Sequence, residues 1–240
     1  MIEGLTILAA MAGGVLPALA WLWFWRREDS AHPEPRKLIA LAFLAGMVTV
    51  AVVIPIQKFA ASYIHEVYFF VGVFSVNTII FTVWSIIEEV FKFIAASLTV
   101  LRRREDDEPI DPVIYMVTVA LGFAAAENTL FLLSPLSGDS ILQTVMTGNL
   151  RFIGATLLHV LASAVIGVMI GFAFYEKRAT RIRYAIGGVV LASLLHAAFN
   201  FFILHTADDQ LLRTFAFVWI GVIALLAILE FVKRLRPRWL

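Results

Sequence analysis

The chain has 240 residues, 61% of them hydrophobic, with a mean hydropathy of +0.88 and a net charge of +1. That apolar share exceeds a water-soluble domain's, and the near-neutral balance offers no global field that would select nucleic acid. The lack of any cysteine removes disulfides, thiolate metal sites and cysteine nucleophiles together.

A transmembrane helix needs roughly 20 apolar residues. By that measure the sequence predicts seven spans, at 5–25, 37–58, 78–101, 112–133, 149–174, 184–204 and 211–232. The first continues through Trp21-Leu22-Trp23-Phe24-Trp25 and stops at Arg26-Arg27. With Glu3 and no basic residue ahead of it, it reads as a retained anchor with an aromatic belt, not as a cleaved leader. The segment 59–77, which holds His65 and Glu66, reads as an interfacial or re-entrant helix, or as an eighth crossing. The stretch 134–148 is expected to be an outer loop able to act as a lid or substrate contact.

Arg26, Arg27, Arg36 and Lys37 form one basic cluster and Arg102, Arg103 and Arg104 a second. Lys177, Arg178, Arg181 and Arg183 form a third, and Lys233, Arg234, Arg236 and Arg238 a fourth. All four fall on one side of a seven-span chain, which predicts the N-terminus outside and the C-terminus in the cytoplasm. The expected fold is therefore an all-α, polytopic transmembrane helix bundle. It forms a single integral membrane domain over 1–240 in the cell membrane, with the lipid bilayer as its solvent.

The third span contains SIIEEVFKFIAAS, in which Glu88, Glu89 and Lys92 interrupt the apolar run. A charge at mid-bilayer costs about 2.5–3.5 kcal/mol on insertion scales, so these groups must face the interior and pair. Lys92 lies i+4 from Glu88 and i+3 from Glu89 and reaches either carboxylate. The pair can divide the roles of general base and of acid or orienter, or it can simply lock helix packing with the lysine. Glu127-Asn128 in the fourth span follows the small residues Gly122, Ala124, Ala125 and Ala126, and reads as part of a site or as an interhelical clamp. His159 lies in the fifth span. His196 and Asn200, four apart, share one face of the sixth. Counting about 1.5 Å per residue from the outer ends, Glu88 and His159 lie about 15 Å deep, His196 about 12 Å and Glu127 about 9 Å. Four spans thus hold ionisable groups in one slab, which scattered packing residues do not predict.

In this order, Glu88-Glu89-x-x-Lys92, Glu127-Asn128, His159 and His196-x-x-x-Asn200 resemble the PrsW family of intramembrane proteases. More distantly they resemble the superfamily of CAAX-prenyl endopeptidases and bacteriocin-processing proteins. Arg151 ahead of His159 fits the same pattern, while Phe131 stands where that pattern has a tyrosine. The resemblance runs from about 80 to 200. It implies a protease core at about 78–204, with 1–77 and 205–240 as accessory spans. It also implies cleavage of a membrane-anchored protein substrate, of which a single-pass anti-sigma factor is the best-known kind.

No Asp lies within a span, and no nucleophile elbow surrounds Ser163, so water is the remaining nucleophile. Glu88 or Glu89 is the expected base, acting on a water held with His159. Lys92 and Glu127 would tune the carboxylates, and His196 and Asn200 would donate to the oxyanion. The cofactor is then either none or zinc; for zinc the ligands would be His159, His196 and one glutamate, with Glu127 the choice carried forward. The other function classes these residues permit are a proton- or ion-coupled transporter and a non-catalytic membrane scaffold.

Overall fold

The computed structural model describes the backbone of residues 2–28, 32–67, 75–133, 141–205 and 211–236. It describes the side chains of these residues apart from 2–6, 28, 141–153, 203–205 and 211–215. Among the described residues the chain forms seven α-helices and no strand. In chain order these are α1 Ile2–Glu28, α2 Arg36–Val67, α3 Val76–Thr99, α4 Asp111–Leu133, α5 Ile141–Phe172, α6 Arg178–His205 and α7 Leu211–Val232.

Among the described residues, five helical stretches are long and apolar enough to cross a membrane: Ile7–Arg27, Arg36–Val67, Asp111–Leu133, Gly154–Phe172 and Arg178–Phe202. The chain is a multi-pass membrane protein. Composition alone does not add α3, whose centre carries Glu88, Glu89 and Lys92, or α7, whose described apolar part, Ala216–Val232, is shorter.

Two expected boundaries move. Residues 59–67 continue α2 without a break and do not begin a separate element, because nothing in Phe59-Ala60-Ala61-Ser62 stops a helix. The Ser62 hydroxyl even donates back to the Lys58 carbonyl at 3.0 Å, a bond that leaves the helix intact. The remainder of the uncertain segment, 68–74, lies outside the described residues. Residues 141–148 likewise belong to α5 and not to a loop, since the run from Ile141 to Thr147 contains neither Gly nor Pro. Residues 134–140 also lie outside the described ones.

The bundle is built around α4, every residue of which is buried from Asp111 to Ala125. A helix apolar on all sides belongs in the middle of a bundle, and α1, α2 and α5 pack around this one. Close approach of α2 depends on two glycines facing each other's backbones. A Cβ on Gly46 would stand 2.0 Å from the Val119 carbonyl oxygen, and one on Gly122 would stand 1.9 Å from that of Phe43. Small residues at such a crossing let the helices touch main chain to main chain.

At one end, the connection before α2 meets the connection before α4. His32 Nδ1 lies 2.8 Å from Glu108 Oε1, and the Tyr115 hydroxyl donates to the Glu34 carboxylate. The Asp111 carboxylate accepts the backbone N–H groups of Asp107 and Glu108, at 2.8 and 2.6 Å. Pro109 packs against Gly171, which also lies beside Val232. The described residues of the four basic clusters therefore gather at this end. Burial and the neighbouring Asp111 push the Asp106 carboxyl up to about 7, against the opposing pull of Arg181.

α3 lies against α2 and α6. Its first turn is capped by Ser75, whose hydroxyl accepts the Thr78 N–H at 3.2 Å. Packed against α2 and α6, the helix turns Ser85, Glu88, Glu89 and Lys92 inward.

Candidate active site

Lys92 is fully buried, and its surroundings explain how. Its ammonium donates to Glu89 Oε1 at 2.7 Å and to His159 Nδ1 at 2.8 Å, and it lies 4.4 Å from the centre of the Phe123 ring. Two charge-assisted bonds and a cation–π contact replace its hydration. An ammonium can only donate, so Nδ1 of His159 accepts and the ring proton sits on Nε2. Nε2 then donates to Glu127 Oε2 at 2.8 Å.

Glu89 is the hub of the network. Besides Lys92, its Oε1 accepts from His196 Nδ1 at 2.9 Å, and its Oε2 accepts from the Ser163 hydroxyl at 2.8 Å. Residues from α3, α5 and α6 thus converge on one buried carboxylate. The Ser163 hydroxyl is spent on Glu89, which accounts for a serine one turn from His159 without a serine–histidine pair.

Glu88 is held differently. Its Oε1 accepts from Gln57 Nε2 at 2.8 Å. Its Oε2 is buried and has no hydrogen-bond partner. That oxygen lies 3.8 Å from His196 Nε2 and 3.9 Å from both His159 Nδ1 and Lys92 Nζ. The two imidazoles meet edge to face with centroids 5.0 Å apart. Among the described residues, Glu88, His159 and His196 form the group whose donor atoms, all within 4.8 Å of one another, suit a metal ion. Glu127 is not in that group, although it was the expected third ligand. It sits behind His159 on the far ring nitrogen, with its side chain 42% exposed.

Glu88, Glu89, Lys92, Glu127, His159 and His196 therefore share one constellation, as the depth argument expects. Asn200 is adjacent, donating to the Ser85 hydroxyl at 3.0 Å one turn before the glutamates. Asn128 faces elsewhere and donates to Thr156 at 3.1 Å, a tie between α4 and α5. Arg151 lies on α5, but its side chain is outside the described ones. Gln57, Ser85 and Thr156 are contacts that sequence reasoning missed. An uncharged Gln two residues after Pro55 in an apolar helix was the one available signal for the first.

A family model described as the PrsW family intramembrane metalloprotease matches residues 34–229. The chain belongs to this family. It is an intramembrane protease, and membership decides against a transporter or an inert scaffold. The chain is 24% identical over 214 residues to Protease PrsW of Bacillus subtilis, an alignment covering 88% of this chain and 91% of that protein. It is 26% identical over 223 residues to Protease PrsW of Oceanobacillus iheyensis, covering 91% and 94%. It is 28% identical over 195 residues to that of Geobacillus kaustophilus, covering 81% and 79%. No solved structure matches the chain. The PrsW family's description as metalloproteases agrees with a Glu–His–His set in the bundle.

Proposed function

We propose that the chain cleaves a peptide bond in or beside the bilayer in a membrane-anchored protein, with Glu88 activating the attacking water. The observation that carries this reading is the buried, unpartnered Oε2 of Glu88 facing His159 and His196. Leaving a buried acceptor unsatisfied costs about 1–3 kcal/mol, and more for a charged one. A water donating to Oε2 removes that cost and stands where the imidazoles can orient it.

In this mechanism Glu88 takes a proton from the water as its oxygen bonds to the scissile carbonyl carbon. The carbonyl electrons move onto oxygen, where the amide of Asn200 can donate to it; Nε2 of His196 can donate only from a protonated imidazole, because the neutral ring's proton sits on Nδ1, bonded to Glu89. Ser85 uses one amide N–H of Asn200, and an amide carries two. Glu88 then returns the proton to the leaving nitrogen, the C–N bond breaks, and a carboxylic acid and an amine result, which pass one proton between them to become carboxylate and ammonium. Glu89, Lys92 and Glu127 hold the two imidazoles in place throughout.

A zinc-dependent version is the second reading, favoured by the Glu88–His159–His196 group. Two imidazoles and a carboxylate make a known catalytic zinc set, and tetrahedral zinc places its donors roughly 3.4 Å apart. The carboxylate-to-imidazole separations are 3.8 and 3.9 Å and all three donors lie within 4.8 Å of one another, so the set would have to draw together to hold the ion. Lys92 would have to release Nδ1 of His159 and stay with Glu89. When bound, zinc would supply a more acidic water and a polarised carbonyl.

We also read seven crossings, α3 among them because its charges are met inside the protein. The end that gathers the basic clusters would face the cytoplasm, with the N-terminus outside. The chain would act as one integral membrane domain with its core at about 78–204 and accessory spans on either side. A single-pass protein of the anti-sigma-factor kind is the proposed substrate class.

The test is cleavage of a single-span substrate by reconstituted protein. Glu88→Gln should lower turnover about 10²–10⁴-fold, and unchanged turnover would refute the assignment. Stoichiometric zinc, with activity lost on chelation and regained on addition, selects the second reading.

A further inference from the structure

We infer that Gln57 of α2, outside the motif-bearing spans, is a positioning residue that aims the Glu88 carboxylate. This rests on the role proposed for Glu88. The side-chain amide of Gln57 donates to Oε1 at 2.8 Å, while Oε2 has no partner. Without that bond the carboxylate could rotate. The Gln57 bond fixes the plane of the carboxylate and so aims its second oxygen at His159 and His196. Nothing else in the network does this, because Lys92, Ser163 and His196 Nδ1 all bond Glu89.

Gln57 is itself held at its main chain. Its carbonyl accepts the Trp84 indole N–H at 3.1 Å, and Trp84 packs edge to face on Phe81 with centroids 5.4 Å apart. Trp84 and Glu88 are one helical turn apart on α3. Two successive groups of one face of α3 are thus tied to the two ends of a single α2 residue. Pro55, just before it, has no N–H for the carbonyl of Ala51, so the helix is softer where Gln57 has to be placed.

The experiment uses full-length protein in proteoliposomes and a labelled single-span peptide that the wild type cleaves. Gln57→Met keeps the side-chain volume and removes the donor. It should lower kcat about 10–100-fold, the range for losing a group that orients a site ligand, with KM within about twofold and the unfolding midpoint lowered by only a few degrees, from the Oε1 left unpaired. In metal-loaded protein, zinc retention against a chelator should weaken by the same factor. In a Glu88→Gln background, Gln57→Met should cost nothing more. Trp84→Phe, which frees the Gln57 carbonyl and keeps an aromatic ring beside Phe81, should lower kcat by about threefold to tenfold, and keeps the inference testable should Gln57→Met not fold. Full kcat in Gln57→Met, a loss that tracks the unfolding midpoint, or an additive loss in the double variant overturns the inference and leaves the Glu88 assignment standing. Undiminished cleavage by Glu88→Gln alone would bring down both.

Discussion

Lys92→Met is the most direct test of the buried charge network. The substitution removes a fully buried ammonium and leaves Glu89, equally buried, with only His196 and Ser163. Breaking one side of a buried ion pair typically costs about 3–5 kcal/mol, because the other charge stays desolvated. In a chain of this size, about 1 kcal/mol moves the unfolding midpoint by roughly 2–4 °C, so the loss should be about 6–20 °C. Neutralising the stranded partner as well, in Glu89→Gln/Lys92→Met, should recover a large part of that loss. The assay is thermal unfolding of the purified proteins in one detergent, followed by intrinsic tryptophan fluorescence. If the single and double variants melt together, Lys92 does not stabilise the fold through Glu89 and the network reasoning is wrong.

Gly122→Ala should destabilise by about 1–3 kcal/mol, read as a lower unfolding midpoint, because its methyl group would meet the Phe43 carbonyl and force α2 off α4. Glu127→Gln keeps a hydrogen-bond acceptor for His159 but removes the charge. It should lower turnover about 10–100-fold with little change in melting, measured on the same cleavage substrate. The raised Asp106 carboxyl, near 7 against an unfolded value of 3.8, makes a signed prediction. A group that binds its proton more tightly when folded gives stability that is full below the unfolded value and fades as pH rises through the folded one. The melting temperature should therefore fall between about pH 4 and 8, and Asp106→Asn should flatten that fall.

The helices were legible because each long apolar run is bounded by charge or by turn residues. Their ends were less so. α2 continues to Val67 and α5 begins at Ile141 because helix-compatible polar residues carry no stop signal. The convergence of Glu88, Glu89, Glu127, His159 and His196 could be read from their shared depth. Which oxygen meets which nitrogen could not. Spacing allows Lys92 to reach either glutamate; the side-chain rotamers taken up at the rotation α3 adopts give it to Glu89 at 2.7 Å and leave Glu88 at 3.9 Å. The same rotation puts Glu88, and not Glu127, beside the unclaimed ring nitrogen of His196. Gln57 was invisible for a simpler reason: a neutral amide on a helix without motifs costs too little in a membrane to draw notice.

The complete enclosure of α4 has a consequence for biogenesis. Its wall comes from α1 and α2, synthesised earlier, and from α5, synthesised later. A growing chain must therefore keep a half-open slot until α5 arrives, and α5 is also the helix that delivers His159. The step that seals the fold and the step that supplies the imidazole are the same event, and His196 follows only with α6. On the proposed mechanism, a ribosome-bound intermediate lacking those helices would hold neither imidazole and would leave its neighbours in the translocating membrane uncut until assembly is finished.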